Sequence, residues 1–174
     1  MREGFVVWLT GLPGSGKTTI ARELEPELKK RGWPVEVLDG DEIRQNLSKG
    51  LGFSREDRET HLKRVTYVAK LLSRNGVAVI AAFISPYRNI REYARQETTN
   101  FVEVYVKCSV EACAQRDPKG LYKKASAGQI KDLTGPQDLY EEPLNPGLVV
   151  DTERLTVAES VHEINSKLHE LNLI

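Results

Sequence analysis

Residues 5–19 read FVVWLTGLPGSGKTT. The first six, Phe5 to Thr10, form an apolar, β-branched-rich run of the kind expected for a strand buried on both faces. Directly behind it, Gly11 to Thr18 satisfies G-x-x-x-x-G-K-[ST], and an amphipathic stretch follows. In the order strand, glycine loop, helix, backbone N–H groups turn inward around phosphate oxygens and the helix N-terminus adds partial positive charge. Gly11, Gly14, Ser15, Gly16, Lys17, Thr18 and Thr19 are therefore the expected phosphate cradle. Lys17 should reach the β- and γ-phosphates of ATP, and the Thr18 hydroxyl should hold Mg²⁺.

Further short apolar runs at 35–38, 77–84, 101–106 and 147–151 alternate with longer amphipathic segments. That alternation predicts βαβ units, hence an α/β three-layer sandwich of the P-loop NTPase type, with a central parallel sheet flanked by helices. Leu62, Val65, Ala69 and Leu72 recur three and four apart, predicting a helix over 55–75 in which Ser54 and Asp57 form a capping box. Val157, Val161, Ile164, Leu168 and Leu171 predict a last helix behind a Thr156–Glu159 cap. The first helix should run from Lys17 to Arg31 and stop at Gly32, with a kink or early break at Pro26. Between Arg116 and Pro146 the periodicity weakens and Gly, Pro and charge mix, so residues 116–146 are expected to be a mobile lid. Nothing divides the chain, and residues 1–174 are expected to form one domain.

Lys+Arg and Asp+Glu both number 25, which argues against a protein that coats nucleic acid or an anionic membrane. No apolar stretch approaches the length of a bilayer span, and the first residues lack the pattern of a signal peptide. A cytoplasmic protein is expected. Cys108 and Cys113 stand alone, without the spacing of a zinc site or a disulfide framework, and are expected to be buried bystanders.

The second cluster of chemistry is VLDGDEIR, residues 37–44, which puts Asp39 and Asp41 at the carboxyl end of the second strand, where open α/β sheets bind ligands. Beside a triphosphate, two carboxylates can organise Mg²⁺ through water and orient an acceptor hydroxyl; the same Asp-Gly-Asp can also be a turn and helix cap. With no N-K-x-D element for guanine, a small-molecule kinase is the default.

LDGDEIR (38–44), LGFSREDRE (51–59), FISPYR (83–88), QRDPKGLYKKA (115–125) and NPGLVVDT (145–152) occur in the order and spacing of the adenylylsulfate kinases, or APS kinases, which this chain resembles over nearly its whole length. The resemblance implies ATP-dependent phosphorylation of the 3′-hydroxyl of adenosine 5′-phosphosulfate (APS), giving 3′-phosphoadenylyl sulfate and ADP, in sulfate assimilation. It implies that Asp41, Arg44 and Arg58 hold ribose and phosphosulfate, that Phe53 stacks on the substrate adenine, that Ile84 and Ser85 contact substrate, and that Arg116 lies against the ATP adenine. Lys17, Asp39, Asp41 and Ser85 are the expected catalytic group. Ser85 is read as a substrate contact, because direct transfer between two bound substrates needs no covalent stop. Lys119 is the first of the lid cations expected to reach the transferring group, ahead of Lys123 and Lys124. A homodimer and a functional association with ATP sulfurylase are also implied.

The chain departs from the family pattern in three places. His61 stands where an Asn near the substrate base is usual, and is expected to titrate near neutrality. Leu133 replaces a phenylalanine that would complete an aromatic sandwich around the adenine, and Ser126 replaces a lid arginine. These departures keep two alternatives open: a kinase for another small alcohol or nucleotide, and a nucleotide-binding domain without turnover.

Overall fold

A computed structural model describes residues 2–174. Five strands, β1 (Phe5–Thr10), β2 (Val35–Asp39), β3 (Ala78–Ala82), β4 (Phe101–Lys107) and β5 (Leu148–Asp151), form one sheet in the order β2-β3-β1-β4-β5. Every pairing is parallel. Seven helices connect and follow them: α1 (Lys17–Lys30), α2 (Gly40–Leu47), α3 (Arg55–Ser73), α4 (Arg88–Glu97), α5 (Val110–Arg116), α6 (Leu121–Ser126) and α7 (Val157–Glu170).

The two-residue period of β1 explains the layering. Phe5, Val7 and Leu9 face one side, where Ile20, Leu24 and Leu28 of α1 and Val161, Ile164 and Leu168 of α7 cover them. Val6 and Trp8 face the other, under Leu62, Val65 and Ala69 of α3 and Ile90 and Ala94 of α4. All six residues of β1 are buried, as a central parallel strand requires. The carboxyl ends of β2, β3 and β1 lie side by side, and the phosphate loop, Asp39 and the 83–86 turn all open from that edge.

Three local expectations need correction. Helix α1 has no early break at Pro26, because Pro26 and Arg22, whose carbonyl the ring leaves without a donor, are both on the solvent face. The α3 cap is half a box: Ser54 Oγ accepts from Asp57 N–H, but Asp57 Oδ2 accepts from Gly52 N–H at 3.1 Å rather than from Ser54. The box at Thr156–Glu159 is complete. Finally, the 116–146 stretch is not patternless. It contains α6, and Tyr122, Ala125 and Leu133 join Leu12, Cys108 and Cys113 in a third apolar cluster against the phosphate loop. Both cysteines are free and buried there. No helix among the described residues is long and apolar enough to cross a membrane.

Candidate active site

The phosphate loop is a sharp turn that only glycine permits at its tightest points. A Cβ on Gly11 would sit 2.4 Å from the Val106 carbonyl oxygen, and Gly16, the N-cap of α1, has φ 105°. Lys17 is the first residue of α1, and its ammonium curls back to donate to Gly11 O at 2.8 Å, Leu12 O at 2.7 Å and Ser15 Oγ at 3.4 Å. Burial pulls its pKa down to about 7, against the pull of Asp39 and Asp41 in the other direction.

Thr18, one residue on, donates from Oγ1 to Asp39 Oδ2 at 2.8 Å. Asp39 ends β2 and caps α2, its Oδ1 accepting from Asp41 N–H at 3.1 Å. The cap and the phosphate-side carboxylate are thus one side chain serving two ends. Asp41 is exposed on the first turn of α2, and its carboxylate pairs with the Lys119 ammonium across the cleft. The two residues therefore tie α2 to the segment before α6.

The cleft has a volume of about 740 Å³, within the range of small-molecule sites. Gly14, Ser15, Gly16, Lys17, Thr18, Thr19, Asp39, Asp41, Arg44, Phe53, Arg58, His61, Ile84, Ser85, Arg116, Lys119 and Leu133 all line it, and Gly11 does not. Lys131 also faces it, whereas Lys123, Lys124 and Ser126 are exposed outside it. The Ser126 departure is therefore not part of the cleft lining.

At the far end, Phe53 is 61% exposed with the Arg44 guanidinium 4.3 Å over its ring, a cation–π contact that leaves the other ring face open. Arg44 also donates to Gly52 O. Arg58 is buried, and its guanidinium donates to Phe53 O at 2.7 Å, Asp132 O at 2.6 Å and Thr134 Oγ1 at 2.5 Å, with Asp138 Oδ2 at 3.3 Å. Most of its fork is spent joining α3 to residues 132–138, while Arg58 also lines the cleft. The expectation that His61 titrates near neutrality needs correction. His61 is buried, stands edge-on to Phe83 at 5.6 Å, and bonds through Nδ1 to Ser48. Burial, helped by Arg44 and Arg64, drives its pKa down to about 4.

Ser85 has φ 41°, a left-handed conformation that costs a non-glycine residue about 1–3 kcal/mol and needs support from its surroundings. The support is explicit. Trp8 Nε1 donates to Ser85 Oγ at 3.0 Å, Ser85 Oγ reaches Phe83 O at 3.3 Å, and Arg91 Nη1 donates to Ser85 O at 2.6 Å. With its hydroxyl engaged on both sides, Ser85 serves as a fixed wall of the cleft. Arg91 is itself buried, paired with Glu103 at 2.9 Å, and donates to Glu141 O at 2.5 Å. On the opposite side Arg116 donates to Thr152 Oγ1 at 3.0 Å and Thr152 O at 2.7 Å, while Thr152 Oγ1 donates to Ser15 O at 2.9 Å.

Sequence reasoning missed Thr152, Thr134, Asp138 and Arg91. Thr152 had a readable signal, a polar residue immediately after the last strand at the ligand-binding edge of the sheet. The other three meet the site only through tertiary contacts.

A sequence model described as adenylylsulphate kinase matches residues 3–151. The chain belongs to the adenylylsulphate kinase family. It is 53% identical over 173 residues to an adenylyl-sulfate kinase of Rippkaea orientalis, covering 99% of this chain and 96% of that one. It is 54% identical over 171 residues to the Sorangium cellulosum protein named "Probable bifunctional SAT/APS kinase 2", spanning 98% of this chain and 29% of that protein. Its fold superposes with a TM-score of 0.93 on the Mycobacterium tuberculosis APS kinase solved in complex with AMPPNP and APS, at 39% identity over 97% of this chain and 99% of that one. Within this adenylylsulphate kinase, the two departures that face the cleft are His61 and Leu133, and Leu133 also packs in the cluster with Leu12 of the phosphate loop.

Proposed function

We propose that this chain transfers the γ-phosphoryl group of ATP to the 3′-hydroxyl of APS, giving 3′-phosphoadenylyl sulfate and ADP. The observation that carries this reading is that Lys17, Thr18 and Asp39 meet the Asp41–Lys119 pair in one cleft, so that a phosphate site and an acceptor site adjoin. Family membership supports it. Gly14 to Thr19 cradle the triphosphate, and Arg116, fixed by Thr152, borders the nucleotide at the other side of the loop. Lys17 gives up its loop carbonyls for phosphate oxygens, a stronger charge-assisted bond.

Thr18 Oγ1 and Asp39 Oδ2 present two hard oxygen donors 2.8 Å apart, a set that fits Mg²⁺ with most of its shell left to water and phosphate. Thr18 would hold the ion and Asp39 would order its water; when bound, Mg²⁺ supplies charge neutralisation at the phosphates. Asp41 accepts the proton of the acceptor hydroxyl as that oxygen bonds to phosphorus and the bond to ADP breaks. Lys119, released from Asp41, stabilises the charge on the phosphoryl group. Phe53 offers its free face to the acceptor's base, and Arg44 with the remaining donor of Arg58 meets its anionic end. Residues 116–131 close over both. The chain works as a homodimer supplied by a sulfurylase, a coupling that the name of the Sorangium relative supports.

Incubation of the purified chain with Mg²⁺-ATP, with and without APS, tests this by chromatography and mass spectrometry. APS-dependent 3′-phosphoadenylyl sulfate is expected, with turnover at least 100-fold lower in Asp41→Ala and ATP affinity retained. ATP binding with no such product would reject the acceptor.

A further inference from the structure

The side chains of Ser48 and His61 meet beneath the acceptor end of the cleft. Ser48 closes α2 and is 1% exposed; His61 lies in α3 and is 5% exposed; Ser48 Oγ and His61 Nδ1 are 2.6 Å apart. Among the described residues Nδ1 is the only hydrogen-bond partner of the Ser48 hydroxyl. If Nδ1 carried the ring proton and donated it, the buried hydroxyl would keep a proton with nowhere to place it, at the full cost of desolvation. The opposite direction satisfies both groups. Ser48 O–H donates, Nδ1 accepts, and the single proton of the neutral ring resides on Nε2.

Nε2 itself has no protein partner among the described residues, yet it is not a sealed polar atom: the one buried, unpartnered side-chain N or O among them is Asn165 Oδ1. His61 lines the cleft, and Nε2–H is its one ring group without a protein partner among the described residues. Three residues along α3, Arg58 bonds to Asp132 and Thr134 on either side of Leu133 and to the carbonyl of Phe53. His61 therefore shares its part of the cleft with Phe53 and Leu133. The anionic groups of the acceptor are met by arginine and its hydroxyl by Asp41, which leaves the base as the part that a lone neutral donor can read.

We propose that Ser48 is a positioning residue that locks His61 in its Nε2–H form, and that this N–H donates to an unprotonated ring nitrogen of the acceptor's purine. The second half rests on the acceptor reading above; the first does not. A site that donates here selects a base presenting a lone pair and rejects one presenting N–H at the same position, because two donors would then face each other unpaired.

Nitrogen NMR of the ligand-free chain labelled with ¹⁵N-histidine, with His61 assigned by its loss in His61→Asn, tests the pairing directly. A pyridine-type Nδ1 and a pyrrole-type Nε2 are expected; the reverse assignment overturns the proposal. In steady-state kinetics Ser48→Ala should raise KM for APS about tenfold, the loss of one neutral hydrogen bond. It should leave kcat and KM for ATP within about twofold, and Ser48→Thr, which keeps the hydroxyl, should restore KM. Equal losses for both substrates, or no recovery in Ser48→Thr, would reduce Ser48 to packing and overturn the proposal. If the wild-type chain makes no APS-dependent product, the acceptor reading falls and takes the purine contact with it, while the nitrogen resonances still decide the Ser48–His61 pairing.

Discussion

Lys17 holds its ammonium among two loop carbonyls and a hydroxyl in a buried site, with a pKa lowered to about 7. Triphosphate oxygens would supply the negative charge that the loop lacks and push that pKa back up. Near pH 8 the free chain is mostly unprotonated at Lys17 and the ATP complex protonated, so ATP binding should take up close to one proton. Near pH 6, where both states are charged, uptake should vanish. Calorimetry in two buffers of different ionisation enthalpy measures this, and equal heats at pH 8 would refute it. Stability follows the same linkage: between about pH 7 and the ordinary lysine value of 10.5 the unfolded state binds more protons, so stability attributable to Lys17 rises with pH across that window. Lys17 was legible from its motif because the motif encodes its surroundings. His61 was not, since the partner and cations that hold it neutral come from α2 and from α3's own packing, and Arg58 could not be read as a clamp because Asp132, Thr134 and Asp138 lie more than seventy residues away.

At the scale of elements, the five strands were readable to within two residues because a buried parallel strand is a continuous apolar run and α3 and α7 repeat at helical spacing. Short helices such as α5 and α6 were not. With seven and six residues, they are too short to stand on propensity and exist by contact with Cys113, Tyr122 and the phosphate loop. Pro26 shows the converse, a local rule overruled by packing. Leu24 and Leu28 are buried on either side of it, and the burial of those side chains outweighs one missing hydrogen bond. Because Pro26 itself is exposed, Pro26→Ala should restore the bond to Arg22 O without disturbing the core. A gain of about 1–3 kcal/mol is expected, less what the freer unfolded chain takes back. Urea unfolding would show a higher midpoint at unchanged slope, and a lower midpoint would mean that the ring packs on something essential.

Across the whole molecule, the two halves of the 116–146 stretch are attached in different ways. Residues 132–142 are riveted to the body: Arg58 of α3 holds Asp132 and Thr134, Arg91 of α4 holds Glu141 O, Glu141 N–H bonds to Pro86 O at 2.8 Å, and Tyr140 meets Thr10 Oγ1 at 2.9 Å. Arg91 is itself neutralised by buried Glu103, so releasing the Glu141 carbonyl would leave a buried guanidinium N–H without its acceptor. Residues 117–131 rest instead on the small third cluster, the Tyr122 hydroxyl on Pro13 O at 2.8 Å, and the exposed Lys119–Asp41 pair, which solvent screens to about 0–1 kcal/mol. Free energies of local opening should divide at that boundary. Hydrogen exchange followed by mass spectrometry should show amides of 117–131 exchanging well before those of 134–141 in the free chain, and slowing when an ATP analogue and APS are both present. Exchange at 134–141 should be indifferent to ligand but should accelerate in Arg58→Gln, where the rivet to α3 is cut. If the whole of 116–146 instead exchanged as one unit and slowed together, the moving element would be the entire stretch, and the arginine rivets would have to open and close with every catalytic cycle.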